Sequence, residues 1–237
     1  MPRRIFVYGD SHTRALAVAA SKMTAVQNLD VEFSIRWAAS DKPGVVRGDL
    51  NLPEALEMIA QLSDSDLVAI SFLGTAHNVV GLLEHERPFW VMESNAEEMK
   101  DGYELIPRNV MKDMFETAYM RNKRVASIKS AVKGKLIHLM TPPPKFDDQF
   151  IKSKIKSYRG TVGAAASVAS PQARLRLWQL DRELLLEIGQ ETGMTILDPP
   201  SETLDQDGFL KSEYWGNDAT HANEEYGALV LQQLARL

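Results

Sequence analysis

A chain of 237 residues, 44% of them hydrophobic, can bury one substantial core, and a net charge of −5 argues against nucleic acid as a main partner, since phosphate backbones require a concentrated basic surface. The absence of cysteine excludes disulfides, a thiol nucleophile and cysteine-ligated zinc. No run approaches the ~20 apolar residues of a membrane span and the N-terminus has no apolar signal core, so a single cytoplasmic domain over 1–237 is expected.

In chain order, "RIFVYG" (4 to 9) is β-branched and aromatic, ends in glycine, and is followed by the helix formers "TRALAVAASKM". "VEFSIRWA" (31 to 38) alternates as a second strand and "LPEALEMIAQL" (52 to 62) has helical period. "DLVAISFLG" (66 to 74) reads as a buried third strand. "VVGLLEHERPFW" (79 to 90) has helical spacing and is expected to face the sheet. A long helical stretch around 104 to 133 precedes the fourth strand, "KLIHLMTP" (135 to 142). Residues 171 to 193 form another helix, "MTILDP" (194 to 199) a short fifth strand, and "HANEEYGALVLQQLARL" the closing helix. Strands alternating with helices along the whole length imply βαβ units in a parallel sheet covered on both faces.

In such a sheet function collects beyond the carboxyl ends of the strands. Gly9 to His12 follow the first strand, Gly74 to Asn78 the third, and Thr141 to Pro144 the fourth. "WGNDATHAN" (215 to 223) lies just before the last helix, with Asp218 and His221 spaced i, i+3 and therefore on one side of a turn. A serine hydroxyl needs a neighbouring base to take its proton, and that base needs a carboxylate to fix its tautomer. Ser11, His221 and Asp218 supply these roles, and the helix start behind Ser11 offers backbone N–H groups to an oxyanion. Asp10 is expected to brace this turn. His12 is expected to be a local hydrogen-bonding or packing residue, His138 buried and bonded, and His85 at the surface, while His77 fits a pocket and a loop equally.

"YGDSHT", "FLGTAHN" and "DATHAN", in this order over nearly the whole chain, resemble the blocks of the SGNH (GDSL-like) hydrolase superfamily. The resemblance implies a three-layer αβα sandwich with a five-stranded parallel sheet of flavodoxin-like order 2-1-3-4-5. It implies Ser11 as nucleophile and backbone oxyanion donor, His221 as base and Asp218 as triad carboxylate, with no cofactor and no metal. The family's second block, a glycine N–H, falls in "DKPGVVRGDL", where Gly44 is chosen over Gly48 as nearer the second strand. Its third block is usually G-x-N. Here Gly74 is followed by Thr75, Ala76, His77 and Asn78, so either Asn78 reaches the oxyanion from a wider loop, or Thr75 or a backbone N–H replaces it.

The activity implied is that of a serine esterase or deacetylase acting on a short-chain acyl ester of a carbohydrate or other polar small molecule. An O-acyltransferase and a binding module without turnover on the same fold are the alternatives. Asp10 and His12 also resemble the D-x-H ligand pair of the calcineurin-like metallophosphoesterases. "RGDLNL" lacks that family's second acid, however, "GTAHN" scrambles its G-N-H, and only His221 stands where two histidines belong. Lys145, Lys152, Lys154, Lys156 and Arg159 make a basic cluster, either a solvated helix face or part of a cap or insertion over 145–171. Phe89, Trp90 and the "TPPP" turn are candidate pocket walls. Because the strands and helices account for the apolar segments, a shallow polar pocket and an acetyl-sized acyl group are expected.

Overall fold

The computed structural model describes residues 2–22, 30–40, 44–92, 101–155 and 167–237. Five parallel strands form the main sheet: β1 (Arg3–Gly9), β2 (Val31–Trp37), β3 (Leu67–Ser71), β6 (Lys135–Leu139) and β7 (Thr195–Leu197), in the order β2-β1-β3-β6-β7. Counting only these strands, the order is the expected 2-1-3-4-5. The register runs from Arg3 beside Val31 to Gly9 beside Trp37, and Gly9 also lies beside Ser71. The carboxyl ends of β1, β2 and β3 are therefore level, and the loops leaving them start from one edge.

The period of two along each strand sorts side chains to opposite layers. Ile5 and Val7 of β1, with Leu67, Ala69, Ile137 and Leu139, meet α1 (Thr13–Lys22) and α8 (Glu224–Ala235) through Leu16, Ala19, Val230 and Leu234. Phe6, Tyr8, Val68, Ile70 and Leu136 point the other way, onto Ala55 and Ile59 of α2 (Leu52–Ala60) and Ile128 of α5 (Lys123–Ala131). The α1–α8 contact is so close that a Cβ on Gly227 would lie 2.5 Å from the Ala15 carbonyl oxygen. A third cluster, beyond β6, sets Leu177, Leu180, Leu184 and Leu185 of the long α7 (Pro171–Thr192) against Leu73, Met140 and Phe115.

Local signals explain the helix boundaries. Asn51 and Glu54 make a reciprocal capping box at α2, Ser170 caps α7 ahead of Pro171, and Asn223 caps α8, each cap being worth ~1 kcal/mol. Gly193, at φ 71°, ends α7 in the left-handed region.

Three expectations need correction. The helix expected over 104 to 133 is instead a strand, β5 (Glu104–Pro107), followed by α4 (Arg108–Met120) and α5. Asn122 divides the two helices, its side chain accepting the Arg124 N–H. Within "VVGLLEHERPFW" only the end of α3 (Ala76–Gly81) is helical, and Phe89–Met92 form β4, paired in parallel with β5 in a separate two-stranded sheet. The third strand stops at Ser71, because Phe72 to Gly74 turn away into the loop before α3. Among the described residues no helix is long and apolar enough to cross a membrane.

Candidate active site

β1 ends at Gly9 where the chain must pass close to β3: a Cβ there would sit 2.6 Å from Thr13 Cγ2 and 2.8 Å from the Ser71 carbonyl oxygen. The next residues make a tight turn into α1. Asp10 N–H donates to Ser71 O (3.0 Å), Thr13 N–H and Oγ1 both donate to Asp10 O, and the Asp10 carboxylate accepts the His12 N–H at 3.2 Å. Burial raises the Asp10 carboxyl above its usual range, against the His12 N–H and the electrostatic pull of His221, Arg47 and Arg124. Ser11 is thus presented, half-buried, at the amino end of α1. Gly9→Ala should displace Thr13 or Ser71 and tilt this turn, lowering the rate at which Ser11 reacts by ~10- to 100-fold. Stopped-flow rates beside the wild type test this, and an unchanged rate would show that the turn tolerates the side chain.

From the other end of the chain, 210 residues away, His221 Nε2 lies 2.7 Å from Ser11 Oγ. The ring's Nδ1 lies 2.8 Å from Asp218 Oδ2, while Asp218 Oδ1 accepts the backbone N–H groups of Thr220 (2.9 Å) and His221 (2.7 Å). The i, i+3 spacing therefore closes as a turn held by its own carboxylate. Burial would raise the Asp218 carboxyl, but the hydrogen bonds from the His221 ring and from these backbone groups outweigh it and hold it well below the usual carboxylate range. An ionised Asp218 accepts from Nδ1–H and leaves the Nε2 lone pair facing the serine hydroxyl. This arrangement can withdraw the Ser11 proton.

His12 packs its ring 4.6 Å from that of His221. Burial, with His221 and His77 adding to it, pushes the His12 pKa well below the ordinary histidine value, against the pull of Asp218, so His12 is neutral beside His221. Ser11, His12 and His221 open onto a groove of about 710 Å³ whose walls include Trp37, Trp215 and Arg14. Behind His12 a separate apolar void between Leu139, Met140 and Pro142 measures only about 20 Å³.

The third loop is built differently from the expectation. Gly74, at φ 81°, donates its N–H to the Tyr119 hydroxyl (3.0 Å) and its carbonyl accepts from Thr141 Oγ1, so its N–H is already engaged. His77 is 2% exposed; its backbone N–H (3.1 Å) and Nδ1 (2.9 Å) both meet Asp181 Oδ2, which makes it a core histidine and not a pocket wall. Tyr119 O–H donates to the other oxygen of Asp181. Thr75 and Asn78 stay half-buried at the start of α3, where the Asn78 N–H donates to the Thr75 carbonyl. On the second loop Gly44 is exposed, and a Cβ added to it would meet nothing within 4 Å, whereas a Cβ on Gly48 would fall 2.2 Å from the Ala38 carbonyl oxygen. Gly48 is thus the glycine packed at the end of β2, while Gly44, the donor expected on this loop, is open around its Cα.

No family model matches the chain, and no curated protein matches it in sequence. Among solved structures, the periplasmic domain of a lipopolysaccharide acetyltransferase from Salmonella ser. Paratyphi A aligns over 100% of this chain and 83% of that one, with a TM-score of 0.53 at 13% identity. The fold is that of the SGNH hydrolases. Two more remote neighbours are an aryl esterase of M. smegmatis (TM-score 0.47, 15% identity, 99% and 97% of the two chains) and Est24, a carbohydrate acetylesterase from Sinorhizobium meliloti (TM-score 0.46, 13% identity, 99% and 97%).

On this SGNH fold the remaining candidates fall in several places. Phe89 and Trp90 pack beside α7, and a cavity they line is shared with Ala173, Arg176 and Leu177 and not with Ser11. Thr141 to Pro144 are buried; Pro142 reaches the void behind His12, and the Thr141 carbonyl accepts the Trp178 indole N–H. His138 is buried as expected, Nε2 accepting the Leu73 N–H, and His85 is exposed. Of the basic cluster, Lys152 is exposed, but Lys145 is 1% exposed and Lys154 Nζ donates to Asn217 Oδ1 at 2.6 Å. Lys156 and Arg159 lie outside the described residues, as does 156–166 of the expected cap. The described part, including α6 (Asp148–Lys154), packs through Ile151 and Ile155 onto Ala219 in the loop that carries Asp218. Among the described residues no three His, Asp or Glu side chains are grouped to hold a metal ion.

Sequence reasoning missed Asp181 and Tyr119, and saw Lys145 only as a member of the basic cluster. For Asp181 a signal was present: it interrupts the apolar stripe of Leu177, Leu180, Leu184 and Leu185, where a carboxylate is stable only with buried donors.

Proposed function

We propose that the chain is a serine-dependent acyl-ester enzyme. The observation that carries this reading is the unbroken hydrogen-bonded series Ser11 Oγ, His221 ring, Asp218 carboxylate at the amino end of α1. As Ser11 Oγ bonds to the acyl carbon, its proton moves to His221 Nε2. Collapse of the tetrahedral intermediate breaks the bond to the alcohol oxygen, which takes the proton from His221. In the second half, His221 removes a proton from water, whose oxygen attacks the acyl carbon, and the proton returns to Ser11 as the acid departs. Backbone N–H groups at Ser11 and the second loop, with Thr75 or Asn78 from the third, are the oxyanion donors in this scheme.

The substrate we infer is a short acyl ester, acetyl most simply, of a carbohydrate or similar polar compound. The groove beside Ser11 suits a bulky polar alcohol between Trp37 and Trp215, and the void behind His12 has room for about one water-sized group and not for a chain. The same groove could seat an acceptor hydroxyl in place of water, which makes O-acyl transfer the second reading. A fluorophosphonate probe tests the nucleophile directly: it should label the wild-type protein at Ser11, located by peptide mass, and absence of labelling would overturn the reading.

A series of p-nitrophenyl esters tests acyl size. Turnover should fall from acetyl to butanoyl and be negligible by octanoyl, with no change on exhaustive chelation. Preference for octanoyl would require an apolar channel worth ~0.8 kcal/mol per methylene. Loss of activity on chelation, restored by manganese or zinc, would move the chemistry to Asp10 and His12 as ligands.

A further inference from the structure

Lys145 follows the three prolines after β6, is 1% exposed, and directs its ammonium into the loop that carries Asp218 and His221. Nζ donates to the carbonyl oxygens of Gly216 (2.8 Å) and Asp218 (2.5 Å) and stands 4.8 Å over the Phe150 ring and 5.9 Å from that of Trp215. The backbone of Lys145 is itself fixed. Its carbonyl accepts from Arg174 of α7 at 2.9 Å, and Arg174, also buried, binds the Phe146 carbonyl (3.0 Å) and the Asp148 carboxylate (2.8 Å) as well. A cation is costly to bury, and here two backbone carbonyls and an aromatic face compensate it. Both carbonyls belong to the segment that carries Asp218, the residue that orients His221.

We infer that Lys145 is a positioning residue for the base: its ammonium holds the 216–218 segment so that Asp218 keeps His221 in line with Ser11. This inference rests on the proposed Ser11–His221–Asp218 chemistry. Burial pulls the Lys145 ammonium down to about 8, against the attraction of Asp218 and with help from Lys154, so the charge is present at neutral pH. Other charged or titratable groups facing His221 are Asp218, Asp10 and the neutral His12, with Arg14, Glu224 and Glu225 along the groove.

The test is the rate of fluorophosphonate labelling at Ser11, measured at a temperature where circular dichroism shows each variant folded. Lys145→Gln keeps a hydrogen-bond donor without charge, Lys145→Met removes both, and Lys145→Arg keeps the cation. The rate should fall ~10- to 100-fold in Lys145→Met and in Lys145→Gln as the loop shifts. Lys145→Arg should return the rate toward the wild-type value. Should the Met variant fail to fold, the Gln variant carries the test. A wild-type rate in Lys145→Gln would overturn the inference while leaving the nucleophile intact. If the wild-type protein is not labelled, the nucleophile reading fails and this inference falls with it.

Discussion

Ser11→Ala is expected to lower ester turnover by ~10⁴- to 10⁶-fold and to abolish phosphonate labelling, while the protein stays folded. The size of the first effect follows from the role proposed for Ser11: without its hydroxyl there is no atom to form the acyl bond, and the remaining rate comes from oxyanion donors and binding alone. The smallness of the second follows from position. Ser11 is half-buried on a turn and, among the described residues, its hydroxyl bonds to His221 Nε2. Losing one such bond costs ~1 kcal/mol, or a melting shift within ~4 °C for a chain of this length. Turnover and calorimetry on the same preparation separate the two effects. Undiminished turnover in the variant would sink the covalent mechanism.

Asp181→Ala should be the most destabilising single change at the site. Its carboxylate is fully buried and accepts from three donors: the His77 backbone N–H, His77 Nδ1 and the Tyr119 hydroxyl. Burial and the charge of Asp181 push the Tyr119 hydroxyl far above its usual range, so it remains a donor to Asp181 while accepting the N–H of Gly74. Truncation leaves these donors unpaired in an apolar layer, a loss of ~3–5 kcal/mol and a fall in melting temperature on the order of 10 °C. The loop from Gly74 to Asn78 would lose its anchor at the same time, so turnover should drop more in Asp181→Ala than in Asp181→Asn, which keeps one acceptor oxygen. Tyr119→Phe combined with Asp181→Ala should cost less than the sum of the two, since both break one network. A melting temperature within ~2 °C of wild type would show that the network does not hold this loop.

Much of this architecture was legible because the terms that produce it act over short stretches of chain. The β-branched and aromatic run "RIFVYG" and the alternation in "VEFSIRW" mark strands, and Asn51, Ser170 and Asn223 cap helices within three residues of themselves. Asp218 and His221 could be paired from their spacing, because a turn brings i and i+3 together whatever surrounds it. The four-residue β4 and β5 could not be read in this way. They are too short for alternation to register, and their pairing joins Phe89 to Glu104 across an intervening segment.

The sequence by itself determined the alternation of strand and helix, the turn that holds Ser11 and the turn that holds His221, since each depends on backbone propensity and on neighbours a few positions away. Only the tertiary structure decided what the buried charges do. Lys145 fitted a solvated helix face or a cap until packing set it beneath carbonyls 71 and 73 residues further on, and His77 fitted a pocket or a loop until Asp181 met it from 104 residues away. The same is true of Gly48, whose close packing depends on a loop folding back onto Ala38. A charged or polar side chain is driven inside only when partners are waiting there, and which partners arrive is settled by how the helices pack on the sheet.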